Sequence, residues 1–248
     1  MSIDALSKYR HDVLTRYDPG FQCFREAEHA LVSSTLATVP NSGTILDAGC
    51  GYTSSLRRCD YAPRQLIGVD LDHEALRQNT TVRLRCVCDL ASLPFREESL
   101  SFVVSRDVLE HLEKPNDVLD EFARVLRPGG ALVISGTNTF NYISALARLT
   151  PVRLKTRLRR LTCAGPVTED LPVYYRANRL SKLKRMLEER GLKHVESGYY
   201  GRAFDAFLFC RPLFVLAVVG DCITNLRRLR WLKGTFLGVW LKETPVCS

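Results

Sequence analysis

Three short apolar runs each close on an aspartate, and the first leads straight into a glycine-rich turn. Thr44-Ile45-Leu46 ends at Asp47 before Ala48-Gly49-Cys50-Gly51, Leu66-Ile67-Gly68-Val69 is closed by Asp70, and Val82 to Val87 is closed by Cys88-Asp89. Apolar runs of this length, bounded by turn residues, read as buried strands. Leu100 to Val104, ending at Ser105-Arg106-Asp107, supplies a fourth strand, and Ala131 to Ser135 a fifth. Helix-patterned segments alternate with them. Phe24 to Val39 carries apolar positions at Phe24, Ala27, Leu31, Leu36 and Val39. Further helices are expected after the glycine turn, from near His73, and from Asn116 to Leu126, the last stopped by Arg127-Pro128-Gly129-Gly130. Strands alternating with helices in this way demand an α/β architecture of parallel βαβ units, with helices on both sheet faces.

The pattern loosens after Asn138. Arg148, Arg153, Lys155, Arg157, Arg159 and Arg160 form a run without a carboxylate, inside an irregular or partly helical insertion over residues 139–178. Regularity returns with a helix from Arg179 to Arg190, stopped by Gly191, and a strand near Val195 to Tyr199. The apolar stretch Phe207 to Val219 is broken by Arg211-Pro212 and is too short to span a bilayer. From Val215 a helical stripe runs through Val219, Cys222, Leu226 and Leu229, with Asp221, Thr224, Asn225 and Arg228 away from it. Arg227, Arg228, Arg230 and Lys233 follow as a second basic cluster, and Thr235 to Leu241 is a last strand. The net charge of +8 leans toward acidic partners: nucleic acid, an anionic membrane surface or an acidic small molecule.

Nine cysteines in no Cys-x-x-Cys arrangement make a disulfide framework or a structural zinc site a poor fit. Cys86 and Cys88, two apart in an apolar run, are expected as buried free thiols on one strand face. Met1-Ser2-Ile3-Asp4 lacks the basic stretch and apolar core of a signal peptide, so a reducing, cytoplasmic setting is expected.

Glycine in the turn after the first strand lets a ligand approach the backbone, although a tight turn alone would also ask for two glycines. The acids decide between these. Asp70 stands about 20 residues after the turn, where an acid accepts from a ribose diol, and Asp89 ends the next strand, placed to accept from an exocyclic amine. With Asp47 they make three acids at the ends of successive strands on one sheet edge, and a nucleoside-shaped ligand accounts for all three.

Leu46-Asp47-Ala48-Gly49-Cys50-Gly51, Gly68-Val69-Asp70, Cys88-Asp89-Leu90, Val108-Leu109-Glu110-His111-Leu112 and Arg124-Val125-Leu126-Arg127-Pro128-Gly129-Gly130 occur in that order over residues 44–136. In this the chain resembles the class I S-adenosylmethionine-dependent methyltransferases, in particular the ubiquinone and small-molecule methyltransferases. The resemblance implies a Rossmann-like, doubly wound and mostly parallel seven-stranded sheet, with an antiparallel C-terminal strand and a helical insertion. It implies one methyltransferase domain over residues 1–248: a helical segment to residue 43, a cofactor-binding core over 44–136, the basic insertion, and a lid or interface helix over 203–233. It places Gly49 and Gly51 on the methionine half of the cofactor, Asp70 on the ribose hydroxyls, and Asp89 with Leu90 on the adenine. Asp47, Cys50, Leu71 and Arg106 join the same cofactor-binding set. Many members carry another glycine where this chain has Thr53. A nicotinamide-dinucleotide fold would need a third glycine where Ser54 stands.

Methyl transfer from a sulfonium needs placement above all, and an oxygen or nitrogen acceptor also needs a proton removed. His111 is the candidate base, with a packed structural histidine as the equal alternative. Asp107, Glu110 and His111 would share a face on a helix and so hold a divalent cation. The plain reading, in which they serve the fold, is preferred, and no metal is assigned. The acceptor is expected to be small or lipid-like, with RNA or a catalytically silent cofactor-binding protein as alternatives. Nothing resembles an RNA-binding module, which makes nucleic acid the weaker partner. The C-terminal stripe and its arginines suit a lid, a homodimer contact or an anionic membrane surface.

Overall fold

The computed structural model describes Val13 and residues 24–141, 172–201 and 211–244. The expected basic run from Arg148 to Arg160 and the start of the apolar stretch at Phe207 lie outside the described residues. The elements are α1 (Phe24–Thr38), β1 (Thr44–Ala48), β2 (Gln65–Asp70), α2 (His73–Gln78), β3 (Leu84–Val87), β4 (Leu100–Arg106), α3 (Pro115–Val125) and β5 (Leu126–Thr137). After these come α4 (Leu180–Glu188), β6 (Leu192–Tyr200), α5 (Arg211–Ile223) and β7 (Thr235–Lys242). Single 3₁₀ turns occupy Leu109–His111 and Arg230–Leu232.

The strands form one seven-stranded sheet in the order β3-β2-β1-β4-β5-β7-β6. β1 to β5 pair in parallel and the sheet is completed by antiparallel C-terminal strands, where the resemblance implied a mostly parallel sheet with one antiparallel strand. Chain order reverses between β1 and β4, the place where sheets of this kind open a crevice at their carboxyl ends. The central strands are sealed on both faces, which is why they read as unbroken apolar runs. Ile45, Leu46, Phe102, Val103, Leu132 and Ile134 are fully buried. β3, by contrast, is an edge, with Leu84 39% and Val87 49% exposed.

α3 buries Pro115, Val118, Leu119, Phe122 and Val125, a stripe at helical spacing. Its proline sits in the first turn, where no intrahelical N–H is lost. The Arg127-Pro128-Gly129-Gly130 stretch does end this helix, but it then lies within β5. Leu100 faces Leu126 while Phe102 faces Ala131, so residues 127–130 bulge out opposite Ser101. The strand therefore starts earlier than its apolar core. No helix forms after the glycine turn: residues 51–63 are turns and bends. β3 ends at Val87, so Cys88 lies past it, and both Cys86 and Cys88 are half-buried free thiols instead of buried ones. Burial first, and the neighbouring Cys86 second, push the Cys88 thiol up to about 11.

The described residues fall into two compact units, one of them containing the sheet up to Thr137 with residues 173–198 and 236 onward. The other contains Phe24, residues 138–141 and 199–201, and α5 through Thr235. In this smaller unit Phe214, Ala217 and Val218 of α5 pack with Val13. Asp221 is buried on the same side, with Lys233 Nζ 3.8 Å from its carboxylate. The expected stripe divides: Val215 and Cys222 pack against this core, while Val219 and Leu226 are exposed. Asp221 and Thr224 face inward, while Leu216, Val219 and Ile223 are exposed and Cys222 is half-buried. Asp221 is the one acid of this mostly apolar helix, and its buried ion pair with Lys233 holds that side inward. Lys233 is accordingly withdrawn from the exposed basic cluster.

The Lys242 ammonium donates to the carbonyls of Ala123 at 3.0 Å and Leu126 at 2.8 Å and reaches Glu98 Oε1 at 3.2 Å. It thus satisfies carbonyls that the end of α3 leaves without intrahelical partners. Lys242→Met keeps the apolar stem and removes the donors. A loss of about 1–3 kcal/mol is expected, seen as a lower urea midpoint at unchanged slope. A midpoint equal to that of the unsubstituted chain would show that β7 does not depend on this anchor.

Candidate functional site

The glycine turn leaves the end of β1 with its backbone tied to the neighbouring strand: the amides of Gly49 and Cys50 both donate to the Val69 carbonyl, at 2.8 and 3.1 Å. Gly49 has φ +77°, and a Cβ there would lie 2.3 Å from Val108 Cγ2. Gly51 has φ +48°, and the nearest atom to a Cβ there would be Asp70 Oδ2 at 3.9 Å. Its amide donates to that same oxygen at 2.8 Å, and the Asp72 amide donates to Oδ1 at 2.9 Å. Each carboxylate oxygen of the half-buried Asp70 keeps a further acceptor site. A bare strip of backbone therefore lies over a carboxylate that can still accept.

Asp89 lies next along this edge. The Cys88 amide donates to the Asp70 carbonyl at 3.2 Å, which holds the end of β3 against β2. The Asp89 side chain is exposed and accepts from the Ala91 amide at 2.9 Å, while Leu90 is buried and Leu71 is 67% exposed. The structure thus brings Gly49, Gly51, Asp70, Leu71 and Asp89 to one sheet edge. The Cys50 thiol is turned away: it is buried against Gly68 and accepts from Asn79 Nδ2 at 3.7 Å, so only its backbone belongs to the turn. Burial, with Asp47 and Asp70 nearby, lifts that thiol to about 12.

Asp47 faces the protein interior. Its Oδ2 accepts from Ser54 Oγ at 2.5 Å and from the Ser55 amide at 3.0 Å. The Ser54 amide donates to Thr81 Oγ1 at 2.7 Å, Thr81 Oγ1 donates to Asn79 Oδ1 at 2.7 Å, and Asn79 Nδ2 donates to the Gly51 carbonyl at 2.8 Å. This chain of bonds gives the residues after the turn partners that a helix would have denied them, and Leu56 is fully buried beneath it. Burial raises the Asp47 pKa, against the hydroxyl of Ser54 and the charge of Arg106. Ser54, Asn79 and Thr81 escaped the sequence reading, where polar residues between apolar runs mark only a turn.

Arg106, at the end of β4, has its guanidinium 3.6 Å from the Glu28 carboxylate of α1. Glu28 is buried and accepts from Ser135 Oγ at 2.8 Å. Burial raises its pKa, opposed first by Arg106. Beyond β4, the shared helical face of Asp107, Glu110 and His111 does not form. Leu109–His111 is a single 3₁₀ turn. The Glu110 carboxylate turns inward to Thr137 Oγ1 at 3.1 Å and Asn178 Nδ2 at 3.3 Å, and burial with Asp107 alongside raises its pKa. Its backbone carbonyl accepts from the Tyr174 amide at 2.7 Å. Glu110 thus joins β5 to the segment leading into α4. Among the described residues no three acids, histidines or cysteines are gathered as metal ligands. His111 stays half-buried at the same turn.

Gly49→Ala should cost about 1–3 kcal/mol through overpacking against Val108. Adding Val108→Ala should recover part of that loss in urea denaturation, with the backbone strain of a left-handed alanine remaining. Strictly additive effects would mean that the approach of Val108 is not what demands glycine.

Residues 46–134 match the family model of a methyltransferase domain. A tRNA (carboxymethyluridine(34)-5-O)-methyltransferase from Arabidopsis thaliana is 33% identical over 135 residues, covering 52% of this chain and 32% of the relative. A probable S-adenosylmethionine-dependent methyltransferase from Mycobacterium tuberculosis is 34% identical over 119 residues, covering 46% of this chain and 43% of the relative. The chain thus spans less than half the length of these relatives. Among solved structures, geranyl diphosphate C-methyltransferase from Streptomyces coelicolor superposes with a TM-score of 0.57 at 15% identity, covering 97% of this chain and 88% of that one. That likeness concerns the fold. Residues 46–134 thus form a methyltransferase domain, with the sheet order and glycine turn of the class I S-adenosylmethionine-dependent fold.

Proposed function

We propose that the chain binds S-adenosylmethionine across the glycine turn and transfers its methyl group to a small or lipid-like acceptor, at oxygen, nitrogen or carbon. The observation that carries this reading is the open backbone of Gly51 above the Asp70 carboxylate, whose oxygens keep acceptor capacity. Asp70 would take the ribose diol, and Asp89 with Leu90 the adenine. Leu71 offers apolar surface beside them, and Arg106 closes the set from β4. The cofactor supplies a methyl group already activated as a sulfonium, so the protein's main contribution is placement in line with the acceptor. Where that acceptor is a hydroxyl or an amine, His111 takes its proton.

Calorimetric titration with S-adenosylhomocysteine tests the cofactor assignment. Saturable binding is expected, with no response to NAD. Asp70→Ala should weaken it at least tenfold, since hydrogen bonds to a charged group contribute about 1.5–3 kcal/mol. An unchanged affinity in a folded variant would remove Asp70 from the site.

A second observation bears on how a lipid-like acceptor is met. In the smaller unit Leu216, Val219, Ile223 and Leu226 are exposed on α5 and its continuation, and Trp231 is exposed as well. Arg227, Arg228 and Arg230 are exposed beside them. Among the described residues no helix is long and apolar enough to cross a membrane. An apolar face flanked by arginines suits an anionic membrane surface, each cation there contributing about 1 kcal/mol. Flotation with phosphatidylserine vesicles should show binding that falls with salt and with Arg227→Glu/Arg228→Glu. Protein that stays unbound at low salt, or that instead forms a concentration-dependent dimer through this face, would overturn the membrane reading.

A further inference from the structure

A cavity of about 200 Å³ lies between α1 and the loop that follows the glycine turn. Its lining includes Arg25, Arg57, Arg58 and Arg106 against a single carboxylate, Glu28. That carboxylate is already engaged, by Arg106 at 3.6 Å and by the Ser135 hydroxyl at 2.8 Å. Arg25, Arg57 and Arg58 form no ion pair among the described residues. The walls are held in place independently of any ligand. His29 Nε2 donates to the Arg58 carbonyl at 3.0 Å, and Ser54 at the base is fixed by Asp47. A solvated arginine surface needs neither a concavity nor a fixed loop.

We propose that this cavity receives a phosphate group carried by the methyl acceptor. The charge balance selects the group. One carboxylate would leave most of the positive charge unmatched, whereas a phosphomonoester brings nearly two negative charges and three acceptor oxygens at neutral pH. Guanidinium forks pair with such oxygens bidentately, with direction as well as charge. The position follows from the chain path: the loop forming one wall is the direct continuation of the glycine turn, and Arg106 ends the strand beside it. An acceptor anchored here by its phosphate would thus have its remaining atoms beside the turn. The assignment to an acceptor rests on the methyl-transfer reading above.

The test titrates the full chain with inorganic phosphate at constant ionic strength, with and without saturating S-adenosylhomocysteine, and reads the melting temperature. A saturable rise that survives S-adenosylhomocysteine is expected. Arg57→Ala/Arg58→Ala should lose at least tenfold in phosphate affinity and keep S-adenosylhomocysteine affinity within twofold, and Arg25→Ala should repeat the pattern from the opposite wall. Phosphate binding abolished by S-adenosylhomocysteine would give the cavity to the amino-acid end of the cofactor and overturn the proposal. A response to phosphate no greater than that to chloride would overturn it as well. Phosphate binding in a chain that fails to bind S-adenosylhomocysteine would sink the methyl-transfer reading, and the acceptor assignment with it.

Discussion

The buried carboxylate of Asp47 gathers the Ser54 hydroxyl and the Ser55 amide at the end of β1, and the whole functional edge depends on that attachment. Taking an ionised carboxylate out of water costs several kcal/mol unless donors replace its hydration. Here the donors come from the very residues that would otherwise begin a helix. Ser54 passes the connection to Thr81 and Asn79, and Asn79 returns it to the carbonyl of Gly51. A fully bonded buried network of this kind fixes one conformation. The turn is consequently held open from behind, by contacts on the side away from any ligand.

Much of the fold was legible because its strands obey local rules. The central strands are apolar without interruption since both faces are covered, and α3 shows a clean buried stripe between an N-terminal proline and the strand that follows. Gly49, Asp70 and Asp89 were legible for another reason, since a turn and two strand ends fix their positions whatever the rest of the chain does. What stayed hidden depends on distant partners. Ser54 and Ser55 look like helix-start residues until Asp47 is seen to claim them. The bulge at 127–130 reads as a simple helix stop, because its pairing across Ser101 involves a strand far away in sequence. Glu110 looks like a ligand beside His111, yet Thr137 and Asn178 draw its carboxylate inward. On α5 both sides are greasy, so only the burial of Asp221 and Lys233 identifies the inner one.

The two kinds of charged group therefore play separate parts. Acids that sequence alone would assign to ligands divide into an inward set, Asp47, Glu28 and Glu110, and an outward set, Asp70 and Asp89. The inward set is raised in pKa by burial and keeps the scaffold in register. Exposure and spare acceptor capacity distinguish the outward set. Being an acid at a strand end is thus insufficient for a binding role; what matters is whether the carboxylate is buried among side-chain partners or left with open acceptor sites.

The position of Asp89 just past the edge strand β3 has an energetic consequence. β3 is four residues long and mostly exposed, and it is joined to the sheet on one side only, through β2. Short edges of this kind open at a lower free energy than a sheet's centre. A nucleoside spanning Asp70 and Asp89 would rest one end on the rigid middle of the molecule and the other on its loosest rim. Part of its intrinsic affinity would then be drawn off in quieting that rim.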